Sequence, residues 1–159
     1  MNNTKNELKS MNKTEINEKI VKVLTKMGYA PQLNEDNDVF FRYQLKWVQV
    51  LVLSDEYEEH PLLKVILARI YELDDDNIEE RMGALIVSNC MTYEKTLTKV
   101  IFDLNFGVVN AYGTVVYTSE RALKLYLEAL LSGNELGNVT SEFRRRMENL
   151  RINETEKED

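Results

Sequence analysis

The sequence predicts an α+β domain: a twisted, antiparallel, five-stranded sheet with helices packed on it. Three observations point there. Capped apolar stripes at helical spacing lie at each end of the chain and once in the middle. The strand-like runs between them come as a group of three and a group of two, which favours an antiparallel α+β arrangement over a doubly wound parallel sheet. The length, 159 residues with 43% hydrophobic and 30% charged, suits one globular unit. The expected order is α-β-β-β-α-β-β-α with a short further helix. No composition break or repeat divides it, so residues 12–150 form one domain, and 1–11 and 151–159 read as flexible polar tails.

Each element follows from local pattern. Asn12 and Glu15 have capping-box spacing, a cap oxygen with a carboxylate three residues on. Ile16, Ile20, Val23, Leu24 and Met27 then form the stripe of a first helix, which Gly28 is suited to close, with Pro31 shortly after. Residues 34–38, rich in Asn and Asp, read as a turn. Val39, Phe41 and Tyr43 alternate with Phe40, Arg42 and Gln44. After a turn near Leu45-Lys46, Val48, Val50 and Val52 share one face of the next run. The two runs make an antiparallel hairpin.

Residues 62–73 fit two patterns. Leu63, Ile66, Leu67 and Ile70 make a helical stripe behind Pro61, whereas Leu63, Val65, Leu67 and Tyr71 suit a strand. The aliphatic density fits a central strand, and that reading is adopted. A second helix follows, with Asp75 or Asp76 as cap. Ile78, Met82, Leu85, Ile86, Asn89 and Tyr93 fall on one side, the side expected to be buried. Strands at 96–104 and 108–117 flank a turn at Asn105-Phe106-Gly107, and Gly113 marks a bulge or a close backbone approach. Thr118 or Ser119 caps a third helix with Ala122, Leu123, Tyr126, Leu127, Leu130 and Leu131 on its stripe and Gly133 at its close. A fourth begins near Thr140 or Ser141 and buries Phe143, Met147 and Leu150.

Bulk properties exclude several functions. No apolar run approaches the ~18 residues of a membrane span. The first residues are polar, so no secretory signal is expected. Cys90 is the only cysteine and fits a reducing, cytoplasmic setting. A net charge of -7 and a pI near 4.9 make general nucleic-acid binding unfavourable.

Catalytic constellations are missing. His60 is the only histidine and lies in an acidic loop, where it reads as solvated. No Gly-x-Ser-x-Gly elbow and no phosphate-cradling loop occur. Cys90 reads as a small buried hydrophobe. One His and one Cys cannot make a zinc tetrad. Asn34, Asp36 and Asp38 have the spacing that opens a calcium loop, but Val39 stands where glycine belongs and no closing glutamate follows. The acids Glu72, Asp74, Asp75, Asp76, Glu79 and Glu80 suit a helix start, where they oppose its dipole. Arg144-Arg145-Arg146 spreads around a helix and reads as a solvated face paired with Glu142 and Glu148. No catalytic residue, cofactor or metal is therefore expected.

Two features suggest binding. Asn89 interrupts the apolar stripe of the second helix, as a satisfied amide or as a register-setting residue in a homodimer. Phe40, Trp47, Leu51 and Leu53 share the hairpin face opposite the valines, together with Arg42 and Gln49. A sheet coated on one side would leave that face as a contact surface.

The run Phe41-Arg42-Tyr43-Gln44-Leu45-Lys46-Trp47 leading into Val48-Gln49-Val50 resembles the YbjN family, whose fold is shared with the class I type III secretion chaperones. Ser88-Asn89, Lys99-Val100-Ile101-Phe102-Asp103 and Val108 to Tyr117 fit the second half of the pattern, and the likeness covers roughly residues 14–131. It implies a small acidic bacterial protein with helices on a twisted antiparallel sheet. Chaperones of this fold form dimers and hold partner segments extended along apolar patches; YbjN-type proteins are described as sensory or regulatory. The resulting expectation is a non-enzymatic, chaperone-like or regulatory protein-binding homodimer. Its rival is a small-molecule sensor or enzyme with a pocket between sheet and helices, lined by Tyr43, Tyr112 and Asn89.

Overall fold

The first helix, α1 (Lys13–Lys26), starts as its capping box requires. Asn12 Oδ1 accepts the Glu15 N–H at 2.9 Å, and the Glu15 carboxylate accepts the Asn12 N–H at 3.2 Å. It ends at Gly28, whose φ of 90° is open to glycine at little cost. This computed structural model describes residues 12–53, 60–73 and 77–155.

The strands are β1 (Gln32–Leu33), β2 (Val39–Tyr43), β3 (Lys46–Val52), β4 (Leu62–Glu72), β5 (Lys99–Asp103) and β6 (Val108–Val116). They form one antiparallel sheet in the order β1-β2-β3-β4-β6-β5. The α+β antiparallel class is as expected, but the sheet has six strands and not five. The extra one, β1, is two exposed residues paired with Phe40 and Val39. Two residues show no alternation, so no pattern could announce it. Residues 62–72 are indeed a strand, and a central one.

The remaining helices are α2 (Ile78–Glu94), α3 (Glu120–Leu130) and α4 (Val139–Thr155), with a 3-10 turn at Leu136–Asn138 before α4. Asn77 caps α2, accepting the Glu79 and Glu80 N–H groups; Asp75 and Asp76 lie outside the described residues. Ser119 caps α3 as foreseen. Helix α4 starts one residue early and runs on through Thr155, so residues 151–155 continue the helix where a tail was expected.

All four helices lie on one side of the sheet or along its edge. α1 packs over β2 and β3, α3 over β6, α4 over β4, and α2 beside β5. The inward row of each strand is buried: Val39 and Phe41, Val48 and Val50, Leu63 and Val65, Val109 and Ala111, Val100 and Phe102. These meet Ile16, Ile20 and Leu24 of α1, Leu123 and Leu127 of α3, and Phe143 of α4. Burial of this apolar face at about 25 cal/mol per Å² is what drives the two layers together. Gly113 lies where β6 passes under α3. A Cβ there would stand 2.4 Å from the Tyr126 hydroxyl and 2.7 Å from Leu130 Cδ1, so the close-approach reading of this glycine holds. The bulge is instead in β4, between Leu67 and Tyr71. There Arg69 takes φ 52°, and its N–H donates to Asn110 Oδ1 at 2.8 Å.

Candidate binding faces: the open sheet and the outer side of the second helix

Alternation along the strands sends every second residue away from the helices. Cross-strand pairing lines these up in a row through all six strands: Gln32, Phe40, Gln49, Ile66, Tyr112 and Lys99. No described element covers this face. Trp47 (46% exposed) and Leu53 (44%) stand on it with half-buried Phe40 and Leu51, and Leu62, Ile101 and Val116 extend the apolar surface. All four residues expected to share a contact surface thus share one face.

The face has internal order. Arg42 pairs with Trp47, which makes Phe40 and Trp47 diagonal neighbours, and their rings meet edge to face at 5.0 Å. The Arg42 guanidinium lies 4.9 Å above the Trp47 ring, and the Lys64 ammonium 4.1 Å above the Tyr112 ring. Phe40, Trp47, Gln49, Ile66, Ala68 and Asn34 surround a shallow hollow of about 320 Å³. The register that builds this comes from the hairpin loop. Gln44 and Leu45, one residue earlier than expected, both take positive φ (47° and 65°) in a tight two-residue turn.

Helix α2 presents a second apolar surface, and here the expected orientation is overturned. The stripe Ile78, Met82, Leu85, Ile86 and Tyr93 is 45–92% exposed, and Asn89 is exposed among them. The buried side is Ala84, Val87, Ser88 and Met91, a less apolar set. Small residues there admit α4: a Cβ on Gly83 would already touch Met147 Cε at 3.3 Å. Cys90 is exposed and not the buried hydrophobe expected. Asn89 is therefore not a satisfied core amide.

Other candidates fall elsewhere. His60 is exposed beside residues 54–59, which lie outside the described residues. In the Asn34–Asp38 turn, Asn34 Oδ1 accepts the Asp38 N–H at 2.8 Å, while the Asp38 carboxylate accepts from Lys13 Nζ at 2.8 Å and Gln49 Nε2 at 3.3 Å. Among the described residues no group of three His, Cys, Asp or Glu is placed to hold a metal ion, and no helix is long and apolar enough to cross a membrane. Tyr43, Tyr112 and Asn89 do not line one pocket. The Tyr43 hydroxyl donates to the Leu131 carbonyl at 2.6 Å, Tyr112 is on the open face, and Asn89 is on the outer side of α2. Among the described residues, only Arg146 of the three arginines is paired with carboxylates, with Glu94 as well as the expected Glu142, and the expected pairing with Glu148 is not formed.

Sequence reasoning missed Glu135. Its buried carboxylate accepts the N–H groups of Thr96, Leu97 and Thr98 at 3.1, 3.1 and 2.8 Å and so ties the loop after α2 to the turn before α4. Thr92 was also missed. Its hydroxyl donates to the Val100 carbonyl and accepts the Val100 N–H, sealing the outer edge of β5 at that point. No protein-family model matches this chain, and no curated protein does either.

Proposed function

We propose that this chain is a non-enzymatic binding protein. It holds an extended segment of another protein against the open face of its sheet and works as a homodimer paired through α2. The carrying observation is the one-sided sheet, with Phe40, Trp47, Leu51 and Leu53 facing outward over no described element. A contiguous apolar surface of this kind on a folded protein marks a contact site. Arg42 and Lys64 stand over its aromatic rings, so the segment that suits it combines apolar side chains with carboxylates.

The spacing of the α2 stripe supports the dimer. Residues 78, 82, 85, 86, 89 and 93 have the same spacing read in either direction from a centre between Leu85 and Ile86. A two-fold axis there sets Ile78 of one copy against Tyr93 of the other, Met82 against Asn89, and Leu85 against Ile86. That is the self-complementarity an isologous contact requires. Asn89 then provides the polar register mark.

Capture from cell extract by the tagged protein, read by mass spectrometry, tests the sheet face. Trp47→Ala and Leu51→Asp should each lose a protein that the parent and Leu125→Asp, an exposed change on α3, both retain. Equal capture by all four removes the sheet face as the site. Light scattering tests the dimer: the parent should show twice 18.6 kDa at tens of micromolar, and a single-chain mass there removes it.

A further inference from the structure

Between the β2–β3 turn and α4 lies a cavity of about 470 Å³, in the size range of small-ligand sites. Its charged lining is lopsided. Lys46, Arg144 and Arg145 face it with a single carboxylate, Glu148. Elsewhere on this acidic chain carboxylates are plentiful, and the adjacent Arg146 is held by both Glu94 and Glu142. Arg144 and Arg145 make no ion pair or hydrogen bond among the described residues. Lys46 has a long contact, 3.4 Å, to the Arg69 carbonyl. Burial and the nearby Arg144 charge lower the Lys46 ammonium, with Glu72 opposing them, so the two cations repel each other across this space.

The Lys46 side of the hollow is anchored. Lys46 follows the strained Gln44-Leu45 turn directly, and Gln44 Nε2 donates to the Tyr43 hydroxyl at 3.2 Å while that hydroxyl is fixed on Leu131. Three cations gathered from two separate elements round one hollow, against Glu148 alone in its lining, make a positive field that favours an anion. We propose that this cavity binds a small phosphate-bearing molecule, with Lys46, Arg144 and Arg145 on its phosphate oxygens. The cations sit round one hollow and not along a stripe, and the chain's net charge opposes a long polyanion, so the ligand is a small molecule and not a nucleic acid.

Calorimetric titration with inorganic pyrophosphate, at ionic strength matched with sodium chloride, tests this. The parent should bind saturably and its melting temperature should rise with pyrophosphate. Lys46→Gln and Arg144→Gln should each weaken binding by about tenfold or more. Arg121→Gln, the same charge change on an exposed site of α3, should not. Arg145→Gln is the substitute if either cavity variant melts early. The proposal is overturned if the parent gives no saturable heat, if Arg121→Gln loses as much affinity as Arg144→Gln, or if a single-stranded oligonucleotide binds more tightly than pyrophosphate.

Discussion

Leu45 stands almost fully exposed at φ 65° beside Gln44 at φ 47°. A two-residue hairpin loop of this kind needs positive φ at both positions, which Asn-Gly supplies with far less strain than Gln-Leu. Replacing the pair, Gln44→Asn with Leu45→Gly, should raise stability by about 1 kcal/mol in urea unfolding. Gly113→Ala works in the other direction. The new methyl must displace the Tyr126 hydroxyl and Leu130, at a cost of about 1–3 kcal/mol by the same measurement. Gly113 was legible because a glycine inside a strand pattern is itself a signal. Glu135 was not legible, because the three N–H groups that need it lie 37 to 39 residues away in the chain. Nothing local distinguishes it from a surface glutamate. Glu135→Ala strands those three donors and should cost about 2–3 kcal/mol.

Among the elements, α2 is the instructive one. Periodicity finds an apolar stripe, and it found Ile78, Met82, Leu85, Ile86, Asn89 and Tyr93. It cannot say whether the surface that covers the stripe belongs to the same chain. The interior of this chain took the smaller side, Ala84, Val87, Ser88 and Met91, since that side lets α4 come close. A charge at Ile86 therefore meets solvent in the single chain, not core. Ile86→Asp should unfold within about 0.5 kcal/mol of the parent when both are monomeric. At concentrations where the parent is dimeric, the same variant should halve the mass seen by light scattering. A loss of several kcal/mol at every concentration would place Ile86 inside its own chain.

The clasp between α2 and α4 makes a separate prediction. Burial raises the Glu142 carboxyl, but Lys95 at 2.8 Å and Arg146 at 2.7 Å outweigh it and hold it below its usual 4.5. The stabilisation is complete above the unfolded-state value and is lost as pH falls through the lower folded value. Glu142→Gln should thus lower stability near neutrality and flatten the acid limb of the stability profile below about pH 4.5.

At the scale of the whole molecule, the account rests on asymmetry. Helices α1, α3 and α4 seal one face of a six-stranded sheet, α2 flanks its edge, and the other face shows aromatic and aliphatic side chains under Arg42 and Lys64. The antiparallel class, the strand at 62–72 and the grouping of Phe40, Trp47, Leu51 and Leu53 were readable because alternation with period two sorts residues between faces. The sixth strand was not, because two residues are too few to alternate, and the direction of α2 was not, because it depends on packing against α4, far along the chain. Under the proposed function, the occupant of the open face is a segment of another protein. The most direct measurement puts a photo-crosslinking benzoylphenylalanine at position 47 or 51, and at 125 on α3 as control, in living cells. The account predicts covalent adducts with the same foreign protein from 47 and 51 and none from 125. Equal yields at all three positions, or adducts only between copies of this chain, would contradict it.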